Sequence, residues 1–323
     1  VYKRQVCTYP TKRDLEGLPD NRVQALRQAA QLENRLKKQG RLAEFNAVIE
    51  EGVKRGVYRV LTDEEERAWR GTTHYTVFTE VYKSAPDATT PIRVCSNSSI
   101  SYKGCSLNDF LVKGPITISN ILAITLGFRF HRVGYTRDIE KFYQRVYSSQ
   151  RDQHLRRVVW GSDESGRPVT YLHATLAFGD GPAGSVAQIA LQETAERFGQ
   201  GKDMARTALT KCAYVDDIAH GGETVEEVES ASRDIDSILA CGGFSAKPLH
   251  RTGQQGETTV LGMKWNKGKD TLSISLRFNP SAKKKGIHME RDTPLEELGD
   301  RFPPTLTRRQ IWRLVQSQFD PVG

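Results

Sequence analysis

The sequence predicts an α+β fold in which an antiparallel β-sheet carries helices on one face, in an arrangement related to the split β-α-β unit. Three observations support this fold class. Strand-like and helix-like hydrophobic patterns alternate between residues 133 and 265. The first of these strands ends at an acid, Asp138, and a later strand-turn-strand segment centres on Asp216 and Asp217. Helices that cover one face would leave the other open to a ligand.

Size and composition fit a globular chain with a basic surface. The 323 residues are 37% hydrophobic and 27% charged, and the formal net charge is +8. This charge favours a polyanionic partner, nucleic acid first, although many mildly basic proteins have none. Five scattered cysteines without a C-x-x-C pair predict reduced thiols in an intracellular protein. No apolar run approaches a membrane span, and the missing initiator Met predicts an excerpt of a longer product.

The first hundred residues predict two helices and a hairpin. Segments 21–38 and 42–54 repeat apolar residues at helical spacing and carry basic groups on their other faces. Segments 76–82 and 92–95 are rich in β-branched and aromatic residues and flank a Pro-containing loop. They predict a β-hairpin whose tip borders on Lys83 and Arg93.

The rest of the chain alternates strands and helices. The capping box of Thr224 and Glu227 and the stop at Gly242-Gly243 mark the start and end of one helix. The predicted elements are a strand at 133–138, a helix from 141, a strand at 169–176, a Gly-rich bend at 178–184, a helix at 186–198, the Asp-Asp hairpin, the capped helix, and strands at 257–265 and 271–278.

The Asp-Asp pair carries the first functional hypothesis. Two adjacent carboxylates repel unless a cation lies between them, most simply a divalent metal with oxygen ligands. In an antiparallel sheet the end of the strand at Asp138 can lie beside the hairpin, so that three carboxylates converge. Two metal ions held there could stabilise the attacking and leaving oxygens of a phosphoryl transfer. The alternatives are a solvated Asp-Asp turn and a helix N-cap at Asp138.

These segments resemble known motifs of reverse transcriptases. Tyr214-Val215-Asp216-Asp217 resembles motif C, and the segment 135–144 resembles motif A, most closely in BEL/Pao long-terminal-repeat retrotransposons. Shorter matches follow in the same order over nearly the whole chain. They are Ser106-Leu107-Asn108-Asp109 with Gly114-Pro115 at the finger-to-palm junction, Phe178-Gly179 in motif B, Gly242-Gly243-Phe244 with Lys247 in motif D, 260–265 in motif E, and 318–323 at the start of the region beyond the palm.

The resemblance implies a right-hand polymerase fold with a truncated thumb. Fingers would cover 1–113 and 147–182, the palm 114–146 and 183–277, and the start of a thumb or connection region 278–323. The implied activity is RNA-directed DNA polymerisation on an RNA or DNA template with a primer, using deoxynucleoside triphosphates. The implied setting is intracellular, in cytoplasmic virus-like particles and without a membrane partner, with the other polyprotein domains outside this chain.

The resemblance also implies roles for individual residues. Two Mg²⁺ ions, or Mn²⁺ in their place, would be held by Asp138, Asp216, Asp217 and the backbone carbonyl of Ile139. Tyr143 would exclude a 2′-OH, unless it is an ordinary core tyrosine, and Lys247 would donate a proton to pyrophosphate, unless it is merely solvated. The remaining implied contacts are Arg93, Lys83, Phe178 and Gly179 to the nucleotide, and Tyr214, Lys264, Trp265, Arg308 and Arg309 to nucleic acid.

The chain departs from the family pattern in three places. Ala183-Gly184 stands where Ser-Pro is usual, the segment 93–98 lacks the usual Phe-Asp-Ala-Ser, and Pro248-Leu249-His250 replaces Trp-Ala-Ser-Asn. These departures keep open the alternative of a catalytically impaired, nucleic-acid-binding relic. An RNA-directed RNA polymerase would share the Asp-Asp turn, but Tyr143 argues against it.

Overall fold

The computed structural model describes residues 5–82, 92–274 and 305–316. Lys83, the 84–91 loop and the motif at 318–323 lie outside these ranges. The helices in the described ranges are α1 (Arg22–Lys38), α2 (Leu42–Lys54), α3 (Asp63–Ala68), α4 (Ile121–Phe130), α5 (Gln150–His154), α6 (Ala183–Phe198), α7 (Asp203–Lys211), α8 (Val225–Cys241) and α9 (Arg308–Gln316). None of them is both long enough and apolar enough to form a candidate bilayer span.

The described strands form several small sheets. They are β1 (Val6–Cys7), β2 (Tyr58–Val60), β3 (Val77–Tyr82), β4 (Ile92–Asn97), β5 (Val133–Asp138), β6 (Tyr147–Ser148), β7 (Arg157–Ser162), β8 (Pro168–His173), β9 (Ala213–Tyr214), β10 (Asp217–Gly222), β11 (His250–Arg251), β12 (Glu257–Val260), β13 (Met263–Asn266) and β14 (Thr271–Ser273). The sheet orders are β11-β5-β10-β9, β2-β8-β7, β12-β13-β14, β3-β4 and β1-β6.

The sheet β11-β5-β10-β9 is antiparallel throughout. Strands β5 and β10 pair along their whole length, from Val133 opposite Gly222 to Asp138 opposite Asp217. Strand β9 joins β10 through a two-residue turn at Val215 and Asp216. The predicted antiparallel sheet and its strand-turn-strand hairpin are therefore confirmed.

Helices α6, α7 and α8 pack on one face of this sheet. Helices on this face were predicted, although α7 itself was not. Ile218 of β10 is fully buried in a core with Leu191, Leu209 and Ile235 of those helices. Helix α8 begins with the predicted capping box of Thr224 and Glu227. Arg137 of β5 fastens this helix to the sheet through an ion pair to Asp236 at 2.8 Å.

The opposite face is less open than predicted. Ala219 of β10 is buried there in a second core with Phe128 of α4 and Trp265 of β13. Helix α4 and the β12–β13 hairpin thus cover the middle of this face. The end of the sheet that carries Asp138 and Asp217 stays partly exposed, so the site is confined to that end.

A third core joins the two segments predicted as fingers. Phe45, Tyr58 and Phe78 from the first segment pack against Val158 and Trp160 from the second. The Phe45 and Trp160 ring centroids are 4.9 Å apart. The predicted β3–β4 hairpin and the predicted helices α1 and α2 belong to this part of the molecule. The domain limits themselves remain a prediction.

Several predicted elements differ in the structure. The helix expected from Lys141 is one 3-10 turn, Phe142–Arg145, because Lys141 adopts a left-handed φ of 53°. The strand expected at 257–265 is broken at Leu261 and Gly262, which both have positive φ. Strand β8 lies in the β2-β8-β7 sheet rather than beside β5. The elements that were not predicted include strand β7, helices α3, α4 and α7, and the short strands β1, β2, β6 and β11.

Candidate active site

The strand register brings the predicted acids together. Asp138, the last residue of β5, lies directly opposite Asp217, the first residue of β10. Residues directly opposite each other in an antiparallel pair have Cα atoms about 5 Å apart and side chains on the same face. Asp216 precedes Asp217 in the tight turn. Residues 78 and 79 positions apart in the chain therefore meet at one end of the central sheet.

Backbone hydrogen bonds fix this end of the sheet. The Ile139 N–H donates to the Asp216 carbonyl at 2.7 Å, and the Lys247 N–H donates to the Asp138 carbonyl at 2.8 Å. The side chain of Ile139 is fully buried, so the backbone next to Asp138 has little freedom to shift. The turn residue Val215 has a φ of 58°, a left-handed conformation that a β-branched residue rarely adopts.

The pKa values of Asp216 and Asp217 are both raised above that of an ordinary aspartate. Burial raises the pKa of Asp217 to about 7, and the charges of Asp216 and Asp138 contribute to the rise. Burial and the charge of Asp138 also raise the pKa of Asp216, while Lys247 and Arg93 oppose that rise. The negative charges are thus close enough to repel, which is the environment that a bound cation relieves.

Lys247 forms an ion pair with the first of the acids, Asp138. Its Nζ is 3.0 Å from Oδ1 of Asp138, although more than half of the lysine side chain is exposed. The preceding residues Ser245 and Ala246 run alongside the end of β5, where the Glu140 N–H donates to the Ser245 carbonyl at 2.8 Å. The loop after α8 therefore brings an ammonium group to the end of the sheet that carries the acids.

Tyr143 and Phe178 form a pair beside the acids. Their ring centroids are 4.7 Å apart. Burial raises the pKa of the Tyr143 hydroxyl, and the charge of Asp216 adds to the rise, so this tyrosine lies within electrostatic reach of the acids. Tyr143 is partly buried and packs against the core beside the sheet, so its role as the residue that excludes a 2′-OH stays a prediction. An atom placed as a Cβ on Gly184 would lie 3.6 Å from the Tyr143 hydroxyl.

Gly179 must be glycine where it stands. Its φ is 110°, and a Cβ there would lie 2.2 Å from the Ser96 carbonyl oxygen. Asn108, in the segment that resembles the finger-to-palm junction, holds the same loop from the other side. Its side-chain amide donates to the Gly179 carbonyl at 2.9 Å and accepts from the Gly181 N–H at 2.8 Å. We did not single out Asn108 from the sequence, although the match at 106–109 contains it.

A further positive charge near the acids belongs to Arg93. It is exposed on β4, the strand whose N-terminal end adjoins the 83–91 segment. Its positive charge lowers the pKa of Asp216, so it lies within electrostatic range of the acids. The predicted second phosphate contact, Lys83, is outside the described residues.

Among the predicted nucleic-acid contacts, Trp265 needs a correction. Its side chain is fully buried, packs edge-on against Phe128 with ring centroids 4.9 Å apart, and donates its indole N–H to Asp270 at 3.0 Å. Trp265 therefore has no surface to offer a nucleic acid. The neighbouring Lys264 is exposed and Tyr214 is partly exposed. Arg308 and Arg309 are exposed on α9.

The donor set fits a hard divalent cation, since carboxylate oxygens are the ligands that Mg²⁺ prefers. Asp138, Asp216 and Asp217, with the Ile139 carbonyl, are the residues that would hold it. Within the described residues, no group of three or more His, Cys, Asp or Glu side chains is arranged closely enough to hold a metal ion. The Lys247 ammonium already neutralises one of the three acids. The metal site therefore stays a prediction.

Comparison with known proteins places the fold. A foamy viral protease-reverse transcriptase in complex with double-stranded DNA aligns with 84% of this chain at a TM-score of 0.53 and 14% identity. A second structure of that protein with double-stranded DNA aligns over 84% at a TM-score of 0.50 and 15% identity. The chain has a reverse-transcriptase-like fold.

This likeness has clear bounds. The matched part of the chain spans 38% and 46% of the two viral chains, which are therefore much longer. No protein-family model matches the chain, and no curated protein matches it. The likeness at 14–15% identity concerns the reverse-transcriptase-like fold and not the retrotransposon subtype.

Proposed function

We propose that this chain is the fingers and palm of an RNA-directed DNA polymerase from a BEL/Pao-type retrotransposon, working on an RNA or DNA template with a primer. The observation that carries the proposal is the pairing of Asp138 with Asp217 at one end of an antiparallel sheet, with Asp216 in the adjoining turn. Lys247, Tyr143 and Arg93 lie around this carboxylate cluster. The fold and the motif order support the same conclusion.

In this proposal each side chain has one task. Two Mg²⁺ ions, when bound by Asp138, Asp216, Asp217 and the Ile139 carbonyl, would neutralise charge on the phosphates and on the attacking and leaving oxygens. Arg93 binds the triphosphate of a deoxynucleotide, a task for which a permanently charged planar fork is suited. The Lys247 ammonium, released from Asp138, donates a proton to the pyrophosphate leaving group.

The aromatic pair of Tyr143 and Phe178 selects deoxynucleotides over ribonucleotides. Tyr143 would lie under the sugar of the incoming nucleotide and leave no room for a 2′-OH. Phe178 supports the Tyr143 ring from the side, and Gly179 lets the backbone approach closely. Lys264, Tyr214, Arg308 and Arg309 would contact the template and primer, and their charges would make the affinity salt-dependent.

Primer extension on an RNA template with deoxynucleotides and Mg²⁺ tests this function. We expect the wild type to extend the primer and Asp216→Asn to lose activity by at least about a thousandfold, because a carboxylate at the cluster is removed. Thermal melting provides a second measurement that does not depend on activity. Mg²⁺ should raise the Tm of the wild type and not that of Asp216→Asn. Extension that survives Asp216→Asn would rule out the mechanism.

A second candidate is a nucleic-acid-binding relic without catalysis. The sequence feature that favours this candidate is Ala183-Gly184, which stands at the start of α6 where Ser-Pro is usual. Gly184 lies beside the Tyr143 hydroxyl. A gel shift with template and primer that persists while incorporation is absent at every Mg²⁺ and Mn²⁺ concentration would support this candidate. Any incorporation by the wild type that Asp216→Asn abolishes excludes it.

The remaining parts of the proposal concern the setting. Virus-like particles in the cytoplasm and the other domains of the polyprotein follow from the retrotransposon assignment. Fractionation of cells that express the full parent polyprotein would test the particle location. Recovery of the polymerase activity outside particles would contradict it.

A further inference from the structure

A fully buried ion pair lies directly behind the loop that carries Phe178 and Gly179. Asp180 follows these two residues, and its carboxylate Oδ2 accepts a hydrogen bond from Nη1 of Arg156 at 2.9 Å. Neither side chain has any solvent exposure. The pair lies outside the carboxylate cluster, so metal binding gives no account of it.

Each member of the pair has further partners. Arg156 donates to the backbone carbonyls of Asp152, His173 and Thr175, at 3.2, 3.2 and 2.8 Å. Asp180 accepts a second hydrogen bond at Oδ2 from the Tyr9 hydroxyl at 2.9 Å, and one at Oδ1 from the Ser98 hydroxyl. Buried charges need this kind of full hydrogen bonding to be tolerated.

Such a network fixes geometry more than it adds stability. A buried ion pair often stabilises a fold no better than apolar side chains of similar volume. The three donors to the Asp180 carboxylate instead hold the backbone at residue 180 in one position. The preceding residue, Gly179, packs so closely against the Ser96 carbonyl that no Cβ would fit there, so the loop is held at two successive residues.

We infer that Arg156 and Asp180 are positioning residues for the nucleotide gate, by which we mean Tyr143 and the Phe178 ring that supports it. They hold the loop so that the Phe178 ring stays against Tyr143. Phe178 has 43% of its surface exposed, so core packing alone does not fix it. The inference rests on the proposed function. It adds that the selectivity for deoxynucleotides depends on a buried charge pair that touches neither nucleotide nor metal.

Tyr9 extends the network to the N-terminal segment. Its N–H donates to the carboxylate of Asp152 at 2.6 Å, and its ring lies under the Arg156 guanidinium with 5.2 Å between the guanidinium carbon and the ring centroid. Tyr9 supplies one of the three hydrogen bonds to Asp180. We expect its hydroxyl to contribute to positioning less than Arg156 does.

The test replaces the pair by apolar residues, Arg156→Met together with Asp180→Leu, in the full chain. For this variant we expect the KM for a deoxynucleotide to rise by about tenfold while kcat changes by less than about threefold, because orientation is lost and the reacting groups remain. The preference for deoxynucleotides over ribonucleotides should fall by a similar factor. Hydrogen exchange of residues 177–183 should quicken, and protection of β10 should stay unchanged.

The matched control is Arg197→Met with Glu193→Leu, which removes an exposed ion pair of 2.6 Å on α6. It should change none of these quantities. Unchanged KM, unchanged discrimination and unchanged exchange in the double variant would overturn the inference while leaving the polymerase intact. A wild type without incorporation instead refutes the proposed function, and the exchange measurement still decides whether the pair holds the loop.

If the double variant does not fold, Tyr9→Phe decides in its place. It removes one hydroxyl and keeps the ring and the charge pair. We expect a KM increase of about twofold to threefold and faster exchange confined to residues 177–183. Wild-type values for both would overturn the inference.

Discussion

The charge balance at Asp217 is the residue-scale feature with the most consequences. Burial and two neighbouring carboxylates raise its pKa from 3.8 to about 7. A raised acid pKa means that the folded chain binds more protons than the unfolded chain between these two values, so stability falls as the pH rises through this window. The site thus carries a stability cost in its metal-free form, as functional sites often do.

We therefore expect Asp217→Asn to stabilise the chelated protein by on the order of 2 kcal/mol at pH 8, because the ionised carboxylate and its repulsion are removed. Urea unfolding in the presence of EDTA measures this gain. Near pH 4 the wild-type carboxyl is protonated, and the gain should disappear. The control Glu164→Gln, at an exposed turn position, should leave stability unchanged at both pH values. A loss of stability in Asp217→Asn at every pH would contradict the electrostatic account.

Tyr143 offers a second test at the scale of one side chain. Its ring contacts Phe178 and lies near Asp216. Truncation in Tyr143→Ala opens space where a 2′-OH would stand, so we expect the relative efficiency for ribonucleotides to rise by about 10-fold to 100-fold. Single-nucleotide incorporation measures both efficiencies. Tyr143→Phe keeps the ring and should keep the selectivity. A wild type that uses both nucleotide classes equally well would show that Tyr143 is not the gate.

At the scale of elements, local signals decided what the sequence could predict. Helix α2 was predicted with its observed limits, 42–54, because its apolar residues keep helical spacing. The start of helix α8 was predicted from its capping box. Helix α7 has no side-chain cap, and helix α4 is a short apolar run with a strand-like composition. Strand β7 is buried at its first four residues, so it shows no alternation that would mark it as a strand.

The β12–β13 hairpin shows where motif reading fails for a physical reason. Motif resemblance predicts that 264 and 265 share a nucleic-acid surface, but side chains alternate across a strand. Lys264 therefore points to solvent, and Trp265 joins the core with Phe128. A sequence motif records which residues occur together. It does not record which face each one occupies.

These two neighbours should respond to mutation in opposite ways. Trp265→Ala leaves a cavity against Phe128 and deprives Asp270 of a donor, so we expect a loss of about 3–5 kcal/mol in urea unfolding. Lys264→Ala should leave stability unchanged, weaken template-primer binding, and reduce the slope of log affinity against log salt by about 1. Fluorescence anisotropy at several salt concentrations measures the second effect. A destabilised Lys264→Ala variant with an unaltered salt slope would contradict this division.

At the scale of the whole molecule, pH acts through several buried groups at once. Burial and the nearby charge of Arg157 lower the pKa of His154 to about 4, and burial and His131 lower that of His220 to about 4. Below pH 6.5 the unfolded chain protonates these imidazoles and the folded chain does not. Their contribution to stability is therefore complete above about pH 6.5 and is lost as the pH falls towards 4.

Asp217 changes the free energy of unfolding in the opposite direction over nearly the same pH range. In the wild type, the pH dependence that comes from the two histidines is therefore partly cancelled by that of Asp217. We expect chelated wild-type protein to lose stability between pH 6.5 and pH 4.5, and Asp217→Asn to lose it more steeply because the opposing term is gone. His154→Gln should make the free energy of unfolding depend less steeply on pH, since the unfolded chain then binds one proton fewer. Urea unfolding curves followed by tryptophan fluorescence at half-unit pH steps give these slopes. Equal slopes in all three proteins would mean that other groups set the acid stability, because the linkage relation ties each slope to the protons bound at these sites.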